Sequence, residues 1–172
     1  MKVSAYLIAF MLVAAALQSP SARAQDAKAE TKAGDLVISQ PWSRAAPKGA
    51  EMANSYLTIE NKGAAADRLI GGAADVAEKL EIQQISLVGG GLTANPVTGG
   101  LAIAPGDKLA LAPGGYFLAL EKLKSALKKG SKVSISLQFE KAGKVDVAFD
   151  VLSPASKGPV APKAGDDGKA KK

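Results

Sequence analysis

Two stretches near the end of the sequence alternate strictly between apolar and polar residues. In residues 133–139 every second position is Val, Ile, Leu or Phe, with Ser or Gln between them. Residues 145–151 repeat the pattern, with Val and Phe alternating with Asp and Ala. A period of two residues is typical of a strand with one buried face. The connecting loop 140–144, with Gly143 placed for a positive φ, therefore predicts an antiparallel hairpin.

Shorter apolar stretches predict six further strands, separated by turns rich in Gly, Pro, Asn and Asp. Pro41 is expected to mark an edge strand or the end of the first strand, because proline cannot donate a ladder hydrogen bond. About eight short strands at close spacing predict an all-β protein, either a β-sandwich or a small Greek-key barrel. The six further strands are 36–39, 55–60, 67–71, 79–87, 108–112 and 116–121.

The first 24 residues have the pattern of a secretory signal peptide. Lys2 precedes an apolar run over residues 6–17, and Ala22-Arg23-Ala24 forms an A-x-A cleavage site. The run is shorter than the roughly 20 residues of a membrane-spanning helix. We expect cleavage after Ala24, export to the periplasm and no transmembrane segment in the mature chain; an uncleaved N-terminal anchor is the alternative. The cleavage point offers no Cys for lipidation.

Polar segments flank the expected domain, residues 35–152, on both sides. Residues 25–34 are rich in Ala and Lys and are expected to form a flexible lead-in. Residues 153–172 are rich in Lys, Pro and Gly and contain no aromatic side chain. We expect this tail to be disordered, because it cannot bury enough apolar area to offset its ordering entropy. Its role stays open between solvation and contact with anionic surfaces.

The positive charge of the chain is concentrated at its ends. Cleavage removes two of the 22 basic residues and none of the 16 acidic ones, which lowers the net charge from +6 to +4. The tail holds five Lys and two Asp, so residues 25–152 carry only +1. With few aromatic residues and no basic field, the domain is not expected to bind nucleic acid.

Composition also restricts the chemistry that the chain can perform. The sequence contains no His and no Cys, which excludes thiolate nucleophiles, Ser-His-Asp triads and the usual zinc, blue-copper and haem sites. Ser125 and Lys128 spell S-x-x-K without its partner motifs, on a Lys-rich turn. Glu78, Glu81 and Glu121 are scattered near strand ends, where surface charge explains them. We expect no enzyme.

Seven blocks of the sequence have a distinctive order and spacing: Gln40–Ala50, Asn54–Gly63, Asp67–Gly71, Val76–Ile82, Asn95–Val97, Pro113–Tyr116 and Phe139–Val145. Taken in order, these blocks resemble the PCu(A)C family of periplasmic copper chaperones. The similarity covers residues 35–152 and implies a cupredoxin-like β-sandwich, in agreement with the strand count. It also implies binding of Cu(I) by two His and two Met, and delivery of the ion to a respiratory oxidase.

The same resemblance assigns the four copper-ligand positions, and none of them holds a ligand here. The two His positions are Gln83 and Phe117, and the two Met positions are Ala94 and Ala119. Extra Met positions near the family's site read as Ile85, Leu87 and Leu92. After signal cleavage Met52 is the only soft donor. We therefore predict no metal and no cofactor, with copper only if another donor set exists.

Five residues are candidates for binding a partner. Trp42 and Tyr116, near strand ends, are expected to form a patch or to pack in the core. Met52 is expected to be either exposed or a gap-filling core residue. We expect Gln83 and Asn95, together with Gln84, either to form a polar patch or to be ordinary exposed polar residues of their strands.

These observations favour an exported, monomeric, non-catalytic binding or interaction module with a degenerate copper site, whose partner is a periplasmic protein. The alternative is a working copper chaperone that uses non-standard or partner-supplied ligands.

Overall fold

A computed structural model describes residues 30–159 and consists entirely of β-strands and their connections. The expected signal peptide and the tail beyond residue 159 lie outside the described residues. No helix long and apolar enough to cross a membrane occurs within residues 30–159. The strands are β1 Glu30–Ala33, β2 Leu36–Arg44, β3 Met52–Asn61, β4 Asp67–Ala73, β5 Ala77–Val88, β6 Gly91–Pro96, β7 Leu101–Ile103, β8 Lys108–Leu111, β9 Tyr116–Leu123, β10 Lys132–Phe139 and β11 Lys144–Leu152.

The strands form one hydrogen-bonded sheet in the order β6-β5-β9-β3-β2-β11-β10-β4-β7, with β1 paired to β2 and β8 paired to β3. The pairs are antiparallel except β11 with β2, where Asp150 aligns with Trp42. The sheet folds over a single main core but is not closed, since β6 and β7 lie at its two ends. The expected all-β, cupredoxin-like sandwich is confirmed, as an open sheet rather than a closed barrel.

All eight strands expected from the hydrophobic pattern are present, and three more accompany them. β1 lies within the expected flexible lead-in, where its backbone pairs with β2 from Glu30↔Ser39 to Ala33↔Leu36. β6 and β7 have no strong alternation, and β7 is only three residues long. Backbone pairing with a neighbouring strand, rather than burial of one face, accounts for β1 and β6.

Pro41 does not end the first strand, which differs from the expectation. β2 continues through it to Arg44 in the middle of the sheet, because the register with β3 shifts between Ser39 and Trp42. Gln40 takes a positive φ of 53° at this irregularity. A bulge of this kind leaves its extra residues outside the ladder, so a proline can occupy a central strand at that point.

Two apolar clusters lie on opposite faces of the sheet. The main core includes the fully buried Ile38, Ile59, Ile135, Leu137 and Phe149. The second is a smaller set, here called the aromatic cluster. It comprises Trp42, Tyr56, Phe117 and Ala119, with Ile85 and Leu152 packed at its margin.

The first residues of the expected tail pack back onto the aromatic cluster. The Arg44 guanidinium lies 5.7 Å from the centre of the Tyr56 ring and donates hydrogen bonds of 3.1 and 3.3 Å to the Ser156 carbonyl. A Cβ at Gly158 would lie 4.0 Å from Trp42 Cζ2. The ordered chain therefore reaches beyond the expected domain end at residue 152, because Arg44 and Trp42 provide it with contacts.

Candidate functional site

The four positions that the resemblance assigns to copper ligands lie on one face of three neighbouring strands. Gln83 of β5 is directly opposite Phe117 of β9. Two residues away in one direction Glu81 faces Ala119, and two residues away in the other Ile85 faces Ala94 of β6. Residues two apart on a strand point to the same side. All four side chains therefore converge on the same face.

Two of these four positions are filled by close packing. Phe117 is 2% exposed and Ala119 is fully buried, both within the aromatic cluster. The Trp42 and Tyr56 rings pack with centroids 4.4 Å apart and planes tilted by 31°, and the centroid of the Phe117 ring is 6.5 Å from that of Tyr56. Aromatic pairs at these separations stabilise beyond the area they bury. Phe117 and Ala119 therefore fill this part of the face with buried apolar side chains.

Gln83 is the polar member of the four, and it joins two carboxylates. It is 6% exposed, and its Nε2 donates to Glu81 Oε2 at 3.3 Å and to Glu121 Oε1 at 3.2 Å. Glu81 also forms an ion pair with Lys79 on the same strand. Hydrogen bonding from Lys79, then from Gln83, lowers the pKa of Glu81, while Glu81 raises the pKa of Lys79. The carboxylate charge is thus compensated locally.

Met52 lies on the same face, one row further along the sheet. It pairs with Glu121 of β9, which pairs in turn with Lys79 of β5. Its side chain is 41% exposed, so of the two expectations for Met52 the exposed position is the one observed. It is the one thioether within residues 30–159.

The other partner-binding candidates do not form a patch with Gln83. Asn95 and Tyr116 both pair with Gln84, which places them on the opposite side of the strands from Gln83. Asn95 is exposed and donates to Ser86 Oγ at 2.8 Å, and Tyr116 packs against the main core. Trp42 is 4% exposed. Trp42 and Tyr116 thus pack inside the protein, which was the alternative expectation for both. The register of the sheet turns Tyr116 inward, and the chain near Gly158 approaches Trp42.

The donor set on this face does not fit Cu(I). That soft ion prefers thiolate, thioether and imidazole ligands, whereas the face offers the Gln83 amide, two carboxylates and Met52. No group of three or more acidic, His or Cys side chains that could hold a metal occurs within residues 30–159. The link that Gln83 makes between Glu81 and Glu121 was not predicted from the sequence, although Lys79, Glu81 and Gln83 occupy every second position of β5.

Comparisons with known proteins agree with this fold. Residues 36–151 match the family model described as "Putative lipoprotein LpqE-like". "Putative lipoprotein Lxx21020" of Leifsonia xyli subsp. xyli is 29% identical over 120 residues, which is 70% of this chain and 71% of that protein.

Two solved structures are similar over most of the described chain. The apo PCuAC domain of PmoF1 is 28% identical with a TM-score of 0.62, covering 73% of this chain and all of that domain. The copper-bound PCuAC domain of PmoF2 is 25% identical with the same TM-score, covering 73% of this chain and 99% of that domain. The chain therefore belongs to the LpqE-like family and is a PCu(A)C copper-chaperone-like protein.

Proposed function

We propose that this chain is an exported, non-catalytic binding module in which the copper site of the PCu(A)C fold has been replaced by a packed protein surface. One observation carries the proposal. Gln83, Ala94, Phe117 and Ala119 share one sheet face, and the aromatic cluster buries two of them. A metal site whose positions are filled by packed side chains differs from a metal-binding pocket that has lost one of its donor atoms.

The chemistry of the face supports loss of copper as cargo. A Cu(I) carrier needs soft donors that bind the ion firmly and still release it. Ala94, Phe117 and Ala119 have no donor atom, and the Gln83 amide nitrogen is engaged with Glu81 and Glu121. Met52 alone supplies one thioether.

The carboxylates on the face also support a non-catalytic role. A general acid or base at neutral pH needs a pKa shifted toward 7. The pKa of Glu81 is instead lowered by Lys79 and Gln83. This carboxylate therefore stays ionised at neutral pH and acts as a fixed structural charge.

Export is supported by the signal-peptide pattern of residues 1–24 and by the lipoprotein name of the Leifsonia relative. Because this chain has no Cys, it does not carry a lipid on a cysteine. We propose that the mature protein starts at Gln25, is a periplasmic monomer, and binds a periplasmic protein through the face that holds Met52 and Gln83.

The second candidate is a copper chaperone that completes its site with ligands from a partner. The exposure of Met52 on the same face as Gln83 favours this candidate. In that case the chain contributes the thioether and the partner contributes the remaining soft donors.

Titration of the mature chain, residues 25–172, with Cu(I) against a chromogenic chelator of known affinity tests the proposal. We expect no competition with the chelator, and the same result in a separate Cu(II) titration. Stoichiometric binding at sub-micromolar affinity would overturn the proposal. If such copper binding were observed, its loss in the Met52→Leu variant would support the second candidate.

The partner role is tested by a photo-crosslinking residue at position 52, with the same residue at Ile70, an exposed position on β4, as the control. We expect one periplasmic protein to crosslink at position 52 and not at position 70. Equal labelling from both positions would reject the face as a specific partner site.

A further inference from the structure

Four strands within residues 30–159 pair with only one neighbour, and β6 differs from the other three. β1 carries Glu30 and Lys32, β8 carries Lys108, and β7 is only three residues long. Charged side chains and short length are two ways in which proteins keep an edge strand from pairing with another chain. β6 is six residues long, has no charged residue, and is exposed throughout. It is therefore the edge of the described sheet that is open to a further strand.

The register of β6 shows which of its backbone groups face outward. Opposed residues of an antiparallel pair alternate between hydrogen-bonded and non-bonded positions. The Val97 N–H, just past β6, donates to the Ile82 carbonyl at 2.9 Å. Counted back along the ladder from this bond, Leu92 and Ala94 occupy non-bonded positions. The Ile85 N–H, opposite Ala94, agrees with this count, since it donates away from β6, at 3.0 Å, to a carbonyl of the turn before β9.

The N–H and C=O groups of Leu92 and Ala94 therefore point away from β5. β6 is the last strand of the sheet, so no other strand of the described chain lies on that side. Two donors and two acceptors thus stand along the edge at the spacing of a β-ladder, as a template for one more strand.

The side chains of β6 determine what kind of strand fits beside it. Leu92 and Ala94 point to the face proposed above to bind a partner, and there Leu92 pairs with Leu87. These two leucines are 77% and 71% exposed. Thr93 lies on the other face, and the sequence has no charged residue from 82 to 106. An added strand would meet apolar side chains on one face, small polar ones on the other, and no charge to pair with its own.

The size of the edge favours an extended segment over a second folded copy of this chain. A stable protein–protein interface uses roughly 20–30 residues a side, whereas β6 has six. A folded copy that met only this edge would bury too little area to stay bound. An extended segment obtains affinity from main-chain hydrogen bonds and specificity from its alternate side chains, and the adjoining face supplies the remaining contact with the same partner.

We propose that β6 binds an extended segment of the partner protein as an additional strand of the sheet. The segment is uncharged and alternates apolar with small polar residues, and its apolar side chains lie beside Leu92 and Ala94. Its main chain bonds to the outward N–H and C=O groups of these two residues. This inference rests on the proposed partner role and names the element and the kind of segment that perform it.

Amide hydrogen exchange of the mature chain, residues 25–172, tests the proposal with a defined probe. The probe is an uncharged seven-residue peptide in which Thr alternates with Val, and the control peptide has Pro in place of each Val. We expect the N–H groups of Leu92 and Ala94 to exchange fast in the free protein and at least tenfold more slowly with excess Val peptide. The Thr93 N–H, at a bonded position toward β5, should change little.

Three results of this experiment would overturn the proposal. The first is no protection of Leu92 and Ala94 by the Val peptide, and the second is equal protection by both peptides. The third is protection of the two groups before any peptide is added. If that protection rises with protein concentration, the occupant of the edge is a second copy of this chain.

Variants test the edge independently of exchange. Ala94→Pro removes one outward N–H and leaves the bonds to β5 in place, and Pro96 already occupies a position of the same kind. Leu92→Lys adds a charge of the sort that protects edge strands. Each change should weaken binding of the Val peptide at least tenfold, while Ile70→Lys, at an exposed apolar residue of β4, should leave it unchanged. Unchanged affinity in Leu92→Lys, or in a folded Ala94→Pro variant, would reject β6 as the binding edge.

These assays fail separately from the test of the partner face. Crosslinking from position 52 reports on the face, whereas peptide binding and amide exchange report on the edge alone. A partner that crosslinks from position 52 with the same yield in wild type and in Leu92→Lys would retain the proposed function and overturn the edge proposal. A yield at least fivefold lower in Leu92→Lys than in Ile70→Lys is the expected result.

Discussion

The hairpins β10–β11 and β5–β6 are both antiparallel, but the apolar side chains of the two hairpins lie in different environments. In β10–β11 the apolar side chains alternate inward, and polar partners such as Lys132 and Asp150, at 2.7 Å, lie outside. In β5–β6 the alternation stops at the sandwich boundary, and Leu87 and Leu92 face solvent as a pair.

The turns of the two hairpins differ as well. The β10–β11 loop is fixed by the Asp67 carboxylate, which accepts hydrogen bonds of 2.9 Å from the N–H groups of both Lys141 and Ala142. The β5–β6 turn consists of Gly89 and Gly90, both at positive φ. The apolar residues of the β10–β11 hairpin therefore serve the core, whereas the β5–β6 hairpin keeps apolar residues that the core does not use.

Truncation of an apolar side chain in each hairpin should give the largest difference. Phe149→Ala in β11 removes a fully buried ring from the main core, and we expect the free energy of unfolding to fall by about 3–5 kcal/mol. Leu87→Ala, at an exposed position near the end of β5, should change it by no more than about 0.5 kcal/mol. Urea denaturation measures both, and a loss of similar size in the two variants would refute the distinction.

Removal of a polar anchor should give a smaller difference. Asp67→Ala leaves three backbone N–H groups, those of Arg68, Lys141 and Ala142, without their acceptor. We expect a loss of about 2–3 kcal/mol, because hydrogen bonds to a charged group are among the stronger ones. Asn95→Ala, which removes an exposed hydrogen bond in β6, is the matched control with about 0.5 kcal/mol or less. Comparable losses would mean that Asp67 does not anchor the loop.

The smallest effects concern pH. Burial raises the pKa of Asp67, but the N–H groups of Lys141, Arg68 and Ala142 together outweigh it and lower the pKa below 3.8. The pKa of Glu81 is lowered below 4.5 by Lys79 and Gln83. A lowered pKa in the folded state stabilises the protein above the unfolded-state value, and that stability is lost as the pH falls through the folded value.

Unfolding measured from pH 6 to pH 2 should therefore show acid destabilisation that Asp67→Asn reduces more than Glu81→Gln does. Asp67 is buried, whereas Glu81 pairs with a Lys79 side chain that is 60% exposed and so screened by solvent. The reverse order of the two variants would contradict this assignment.

Much of the fold could be predicted from local pattern. Alternation and turn residues identified eight strands, because each buries one face in the main core. They missed β1 and β6, which are defined by backbone pairing to a neighbour, and β7, which is only three residues long. Pro41 was misleading because the register shift that accommodates it depends on β3.

The candidate site was predictable in part. The resemblance assigned Gln83, Ala94, Phe117 and Ala119, and they share a face. Whether Asn95 joins them depends on the register of β5 with β6, which sequence does not reveal. The bridge from Gln83 to Glu121 joins residues 38 positions apart, and the burial of Trp42 depends on a segment near Gly158.

The proposed loss of copper binding rests on the residues at these four positions. The direct test titrates Cu(I) into the wild type and into a variant with Gln83→His, Ala94→Met, Phe117→His and Ala119→Met, each against the same chelator, after circular dichroism has verified folding. We predict no binding by the wild type and one equivalent bound by the variant. One equivalent bound by the wild type at sub-micromolar affinity would contradict the account.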